Sequence, residues 1–260
     1  MKSPDAVLRT LAAALILALP NATFAACEAQ SGAKTVALVE LYTSEGCSSC
    51  PPADKRLSHL DQVLSPAAEA IPLALHVGYW DYIGWHDPYA KDAFAERQKW
   101  LAQLNRQRTV YTPHFFVAGT ELGLQDESLG AEVRRVNAKA AEAEIRVKAS
   151  VDAQGVLVVS ADATARTRST PVALYLAVTE SGLSSKVTRG ENGGATLAHD
   201  HVVRAWVGPI RLNGGSVHAE REITLAPQWN RAQLDVVAFV EDQSSGVVLQ
   251  AVNAGRCARS

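Results

Sequence analysis

Hydrophobic and polar residues follow two different patterns along the chain, and the change comes near residue 145. Before that point, the apolar runs TVALVELY at 35–42 and IPLALHV at 71–77 predict two buried strands. Apolar residues at helical spacing predict three helices, at 50–64, 88–104 and 126–140. A short apolar run at 114–118 predicts a further strand, which opens a hairpin. The resulting order, strand, helix, strand, helix, strand, strand, helix, is typical of an α/β domain.

Beyond residue 145 the period becomes two, which is the spacing of a strand with one buried face. Turn residues separate the short runs, as in DAQG at 152–155 and NGG at 213–215. The runs with this alternation are 145–151, 156–160, 172–179, 202–207, 223–225, 234–240 and 247–252. Many short strands without a helical stripe predict an all-β, sandwich-like domain over 146–257.

The N-terminus has the pattern of a secretory signal peptide. Lys2 and Arg9 supply positive charge, residues 11–19 are apolar, and Pro20 ends the run before small residues suited to cleavage near Ala25. Residues 1–25 are therefore expected to direct export to the periplasm or the exterior. The run is too short for a membrane span. An uncleaved anchor and lipidation at Cys27 are the alternatives.

The charge balance argues against a nucleic-acid partner. The chain has 260 residues with 25 Lys and Arg against 27 Asp and Glu, which gives a formal net charge of −2. A domain that binds nucleic acid usually carries a basic excess on one face. We therefore expect a partner of another class.

Four cysteines occur, at positions 27, 47, 50 and 257. Of the three possible pairings, the spacing favours Cys47 with Cys50 and Cys27 with Cys257. The C-x-x-C pair follows a predicted strand and precedes a predicted helix, where the helix dipole lowers a thiol pKa. Cys47 is the expected nucleophile and Cys50 the resolving thiol, although Glu45 acts against the Cys47 thiolate. A static disulfide and half of a zinc site are the alternatives, and without a second C-x-x-C no metal or other cofactor is expected.

Several motifs around this pair resemble the thioredoxin superfamily. They are Glu40, the string GCSSCPP at 46–52 and Thr112–Pro113. Longer strings, VELYTSEGCSSCPPADKRL, HVGYWDYIGWHDPYA and ENGGATLAHDHVVRAW, are similar to a bacterial family of secreted thioredoxin-like proteins of unassigned function. The resemblance implies an α/β thioredoxin-like domain over 33–145, followed by the all-β sandwich-like domain. It also implies that Pro113 is cis and faces the C-x-x-C, which leaves the Thr112 backbone free to pair with a substrate.

Glu40 is the candidate proton relay. Thioredoxin has a buried carboxylate in the corresponding strand, one residue nearer its cysteine, and an extra loop residue here would account for the offset. If Glu40 is buried, its pKa is raised and it can exchange a proton with Cys50. The alternative is a solvent-facing glutamate at a sheet edge.

An aromatic loop at 79–87 is expected at the same sheet edge as the C-x-x-C. Tyr79, Trp80 and Trp85 are candidates for an apolar wall that holds a substrate polypeptide. The alternative is that these rings pack between the two domains.

Three histidines add metal hypotheses. His114 follows the candidate cis-proline, and His199 and His201 share a face if their segment is a strand. A histidine pair without a third ligand is usually solvated surface, so no metal ligand is assigned.

These observations predict an exported thiol–disulfide oxidoreductase that acts on a protein or small-molecule thiol or disulfide. The first alternative is a binding module that keeps the scaffold without turnover. The second is a copper-handling protein that uses Cys47, Cys50 and a histidine.

Overall fold

The computed structural model describes residues 26–65, 68–123, 128–152, 154–166 and 171–256. The predicted signal peptide and the second terminal cysteine, Cys257, lie outside the described residues, so both stay predictions. None of the helices in the described part of the chain has the length and apolar composition that a membrane crossing needs.

The element order predicted before residue 145 is present. The helices are α1 (Pro51–Ser58), α2 (Leu60–Val63), α3 (Asp92–Leu104) and α4 (Ser128–Asn137), and 3-10 turns occur at Gly78–Ile83 and Arg231–Gln233. The strands of this part are β1 (Ala26–Gln30), β2 (Ala37–Thr43), β3 (Ala70–His76), β4 (His114–Val117) and β5 (Thr120–Leu122). The first helix is interrupted because His59 leaves the helical conformation, with φ −111° and ψ 31°.

The strands predicted after residue 145 are also present. They are β6 (Ala143–Val151), β7 (Val156–Ala165), β8 (Val172–Glu180), β9 (Leu183–Lys186), β10 (Thr196–His199), β11 (Val202–Arg211), β12 (Ser216–Thr224), β13 (Leu234–Asp242) and β14 (Val248–Arg256). The short β9–β10 hairpin has no counterpart in the alternation pattern, because its four-residue strands are too short to show a period.

One eight-stranded sheet takes its strands from both parts of the chain, in the order β14-β13-β8-β11-β3-β2-β4-β5. The two parts join where β11 lies parallel to β3, with Val202 opposite Ala74. The expected fold class, an α/β thioredoxin-like domain followed by an all-β sandwich-like domain, is therefore wrong. The described part of the chain is mostly β-sheet, 47% strand and 19% helix, and is built on large multi-stranded sheets.

The β8 strand shows why the sheet is shared. All nine of its residues are buried, so it has an apolar neighbour on each face. Ala173, Tyr175 and Ala177 belong to a core with the N-terminal strands and helices. Leu174 and Leu176 belong to a second core, under the four-stranded sheet β1-β6-β7-β12. Because successive side chains of a strand point to opposite faces, this one strand contributes side chains to both cores.

The two ends of the described chain lie close together. Strand β1 pairs antiparallel with β6, with Cys27 opposite Ala149. Cys27 packs against the second core, to which Val252 and Ala254 of the last strand also belong. The arrangement is compatible with the Cys27–Cys257 disulfide, which stays a prediction.

A buried ion cluster ties the two parts of the sheet to helix α3. Arg97 donates to both carboxylate oxygens of Glu40 on β2, at 2.6 and 3.1 Å, and to Glu241 on β13 at 2.7 Å. Four rings surround its guanidinium at 5.1–5.6 Å from their centroids, those of Trp100, Tyr175, Trp206 and Phe239. The pKa of Glu241 is raised, because burial outweighs the attraction of Arg97.

We expect Arg97→Leu to lower the free energy of unfolding by about 3–5 kcal/mol, since it leaves two carboxylates buried without their cation. The measurement is urea unfolding at neutral pH. Arg135→Leu is the matched control: its cation bonds Glu132 on the surface of α4, where such a pair contributes at most about 1 kcal/mol. Equal losses in the two variants would contradict the central role of the buried cluster.

Candidate functional site

The site is centred on a disulfide between Cys47 and Cys50, whose Cα atoms are 5.4 Å apart. It lies in the turn between β2 and α1. Cys50 is the residue that precedes the helix, and its carbonyl accepts the backbone N–H groups of Ala53 and Asp54 at 2.9 and 3.0 Å. The prediction that these two cysteines pair at a strand–helix junction is confirmed.

The segment before β4 lies directly against this disulfide. The Thr112–Pro113 bond is cis, as the resemblance implied. The Sγ atom of Cys47 is 3.7 Å from the Thr112 carbonyl oxygen. The Trp80 indole N–H donates to the Thr112 hydroxyl at 2.7 Å, so this ring holds the segment in place. Thr112, Pro113 and Trp80 are therefore brought together with the cysteines.

A small cleft of about 180 Å³ opens beside the disulfide. Its walls are mostly apolar and include Pro52, Pro113, Phe115 and Leu122, and Ser49 and Arg56 are their polar members. The cleft is accessible although the sulfur atoms are not: Cys47 is 1% exposed and Cys50 is fully buried.

Two polar side chains from the C-terminal part cover the other side of the turn. Asn192 donates to the carbonyl oxygens of Glu45 and Cys47, each at 2.9 Å. Glu191 accepts the backbone N–H of Ser48 at 2.9 Å. Both residues belong to the loop between β9 and β10. They are more than 140 positions from their partners, so no local pattern indicated the contact, although both lie within the string quoted for the family resemblance.

Buried acidic and imidazole groups gather behind the disulfide. Glu45 accepts from His199 at 3.0 Å and from the Trp85 indole N–H at 2.8 Å. Asp54, on α1, has one carboxylate oxygen 4.0 Å from the other ring nitrogen of His199. Burial raises the pKa of Asp54 above its ordinary value of 3.8, although His76 and His199 act in the opposite direction.

The second pair of this group is His76 with Asp87. Asp87 directly precedes the helix predicted over 88–104, for which it is a suitable N-cap, but α3 begins at Asp92 instead. The reason is that the Asp87 carboxylate is used elsewhere: it bonds the His76 ring at 2.8 Å and accepts the backbone N–H groups of Glu45 and Tyr89 at 2.9 Å. Burial opposes both charges, yet their attraction raises the pKa of His76 and lowers that of Asp87.

Glu40 is buried, as one of the two interpretations required, but it is placed with Arg97 and not with the cysteines. The Tyr42 hydroxyl also donates to it, at 3.2 Å. Side chains alternate along β2, so Glu40 and Tyr42 share the face that meets α3, whereas Thr43 lies beside Asp54 of α1. The strand therefore turns Glu40 away from the helix that carries Cys50.

The aromatic loop forms part of the site wall. Trp80 and Trp85 are half-buried and bond Thr112 and Glu45, while the Tyr79 hydroxyl donates to Gln98 at 3.3 Å. Tyr82 stacks on Trp80 and is 81% exposed. The loop thus contacts the C-x-x-C turn through Trp80 and Trp85, whereas the exposed ring of Tyr82 faces solvent.

The histidines do not form a metal centre in the part of the chain that the structure describes, where no three His, Cys, Asp or Glu side chains are arranged to hold an ion. His114 is buried and bonds Glu121 at 3.0 Å, and burial lowers its pKa. His199 faces Glu45, whereas His201 lies in the turn before β11 with φ 57°. The expected shared face of His199 and His201 is therefore wrong.

The comparisons with known proteins identify a family. A family model described as "Protein of unknown function (DUF1223)" matches residues 38–241. Among curated proteins there is no match to this chain.

Two solved structures share the fold. HBP35 of Porphyromonas gingivalis has a TM-score of 0.64 at 19% identity, over 86% of this chain and 76% of that chain. Protein AGR_C_4864 from Agrobacterium tumefaciens has a TM-score of 0.60 at 21% identity, over 85% of this chain and 94% of that chain. At these identities the likeness concerns the fold alone.

The buried His76–Asp87 pair predicts a pH-dependent stability. The lowered pKa of Asp87 contributes stability that is present above pH 3.8 and is lost as the pH falls through the folded-state pKa. The raised pKa of His76 contributes stability that is present below pH 6.5 and is lost as the pH rises through the folded-state pKa. The pair is therefore most stabilising between these ordinary values.

We expect Asp87→Asn to cost about 3–5 kcal/mol near pH 5.5 and distinctly less at pH 9, measured by urea unfolding at both pH values. Asp162→Asn is the control, because Asp162 bonds His218 at the same 2.8 Å on the surface. That change should cost less than about 1 kcal/mol. An Asp87→Asn loss that is the same at both pH values would contradict the ion-pair assignment.

Proposed function

We propose that this chain, which belongs to the DUF1223 family, exchanges thiols and disulfides through Cys47 and Cys50. The observation that carries the proposal is the Cys47–Cys50 disulfide beside the Thr112 carbonyl and an apolar cleft. The substrate class is a protein or small molecule with a thiol or disulfide. The C-x-x-C turn and Thr112–Pro113 resemble the same motifs in the thioredoxin superfamily. This resemblance supports the proposed chemistry, and it is confined to these residues.

In the reduced protein, the Cys47 thiolate attacks a substrate disulfide. A bond forms between Cys47 and one substrate sulfur, and the other substrate sulfur leaves as a thiolate and takes a proton from solvent. Cys50 then loses its proton, and its sulfur attacks Cys47. The Cys47–Cys50 bond forms, the second substrate thiolate leaves and is protonated, and the substrate has gained two electrons and two protons.

Asp54 is the group best placed to accept the Cys50 proton. Cys50 has helical backbone angles, and Asp54 follows it by one turn, so the two side chains are neighbours on one helix face. Cys50 is fully buried, which separates its thiol from solvent. The Oδ1 atom of Asp54 has no hydrogen-bond partner within the described residues, and burial raises the pKa of this carboxyl. These features favour Asp54 over Glu40, whose oxygens bond Arg97.

The decisive experiment is a trap. Cys50→Ala, offered a peptide that contains a disulfide, should accumulate a mixed disulfide on Cys47, since the resolving thiol is missing. Peptide mapping without reduction locates the adduct, and Cys47→Ala is the matched control that should give none. No adduct on Cys47, together with an ordinary thiol pKa near 8.5, would favour the non-catalytic binding module, which the burial of both sulfur atoms also favours.

The role of Asp54 has its own test. Asp54→Asn should slow release of a peptide from the mixed disulfide by about 100-fold at pH 7, the usual contribution of a general base. The difference from the unaltered protein should shrink at high pH, where the thiol ionises without help. Rapid-mixing kinetics across pH measure this, with Asp61→Asn, exposed on α2, as the control. A deficit that does not change with pH would assign Asp54 a structural role only.

A further inference from the structure

We propose that the loop between β9 and β10, residues 187–195, is a cover that must leave the C-x-x-C turn before a substrate reaches Cys47. We call it the cover loop. The inference rests on the proposed function, and it concerns how access to that site is controlled.

The Cys47 side chain is almost inaccessible in this structure. Exchange requires the incoming sulfur to meet the Cys47 sulfur, yet only 1% of Cys47 is exposed. The two residues between the cysteines, Ser48 and Ser49, are exposed, so the turn itself lies at the surface. The Cys47 sulfur lies 3.3 Å from the Ser49 hydroxyl and 3.7 Å from the Thr112 carbonyl oxygen, and the cover loop bonds the backbone of the same turn at Ser48 and Cys47. One of these neighbours must move for a polypeptide disulfide to approach.

The neighbours differ in how firmly they are held. Thr112 and Pro113 lead directly into β4, which pairs with β2 and β5 in the large sheet. The cover loop joins two strands that form a separate two-stranded sheet. It meets the C-x-x-C turn through the side chains of Glu191 and Asn192, with three hydrogen bonds of 2.9 Å to backbone atoms. Side-chain contacts of this kind are easier to break than a sheet.

Val187 anchors the start of the cover loop in the interior, so only the tip beyond it is free to move as a unit. Its neck is closed by two backbone hydrogen bonds of 2.9 Å, Val187 N–H to Ala195 and Gly194 N–H to Val187. Gly190 and Gly194, on either side of the two contact residues, have φ of 74° and 93°, which favours glycine. The base of the hairpin is fixed by the buried contact of His199 with Glu45. Movement at the tip therefore leaves the buried group behind the disulfide intact.

The closed cover also lowers the reactivity of Cys47. The Glu191 carboxylate accepts the N–H of Ser48, the residue after Cys47, and so brings a negative charge to the turn, which raises the pKa of a nearby thiol. The hydrogen bonds that Glu191 accepts from the Ser48 hydroxyl and from the Ser48 N–H lower its pKa, so the carboxylate stays charged. Departure of the loop frees the Ser48 N–H and the Cys47 carbonyl for a substrate backbone, and it removes the charge in the same movement.

The test compares two thiol reagents of different size. In the Cys50→Ala background the Cys47 thiol is free, and its alkylation by iodoacetamide and by a polyethylene-glycol maleimide is followed by mass spectrometry. Adding Glu191→Gln and Asn192→Ala should raise the rate with the bulky reagent, relative to iodoacetamide, by about tenfold, as expected from the loss of hydrogen bonds of ordinary strength. The ratio separates access from intrinsic thiol reactivity.

The matched control carries Glu220→Gln, exposed on β12, and Asn213→Ala, exposed in the turn before it, and these changes should leave the ratio unchanged. Hydrogen exchange of the unaltered oxidised protein provides a second measurement, in which the Ser48 amide should exchange much faster than the amides of β2. An unchanged ratio of the two alkylation rates, or a Ser48 amide that exchanges as slowly as the amides of β2, would contradict the proposal that the loop is a cover. Neither measurement uses a substrate disulfide, so their outcome is independent of the trap that tests the proposed function.

Discussion

Arg97 is a buried cation between two buried carboxylates, and the two parts of the chain are organised around it. Glu40 comes from β2 of the N-terminal part and Glu241 from β13 of the C-terminal part, and both reach the same guanidinium. A lone carboxylate at either position would carry a large desolvation cost, so each part depends on the other to neutralise its charge. The aromatic rings around Arg97 exclude water and make this dependence stronger.

The same dependence extends to the candidate site. The cysteines, Asp54 and the Thr112–Pro113 segment belong to the N-terminal part, but His199, Glu191 and Asn192 come from the β9–β10 hairpin. The large sheet positions that hairpin, because β11 follows it directly and lies beside β3. A C-x-x-C turn that would be open to solvent in the N-terminal part alone is closed by the C-terminal part.

Burial makes this a different environment from an exposed redox pair. Three carboxylates and two imidazoles are packed behind the disulfide, and the His76–Asp87 and His199–Glu45 pairs offset part of the cost of removing them from water. Burial raises the pKa of Asp54, and the attraction of His76 and His199 does not cancel this effect, which suits the carboxyl to accept a proton. The chemistry proposed for Cys50 therefore depends on how the remaining charges pair around it.

The sequence by itself determined the local features. The apolar runs and helical spacings gave the element order, the alternation after residue 145 located the later strands, and the C-x-x-C pair with Thr112–Pro113 marked the redox candidate. Each of these signals is carried by a few consecutive residues, because backbone propensity and side-chain period act over that range. The position of Asp54, one helical turn after Cys50, can also be read from the sequence, whereas its burial cannot.

Only the tertiary structure decided which strands are neighbours, and with that the fold class and the surroundings of the site. A run that is apolar on both faces, such as β3, is equally suited to the edge of a small domain and to the middle of a large sheet. The partner of Glu40, the direction of Asp87 and the cover over Cys47 follow from contacts between residues 11 to 147 positions apart. Such contacts leave no periodic trace along the chain, since they depend on burial and charge pairing after the strands have assembled.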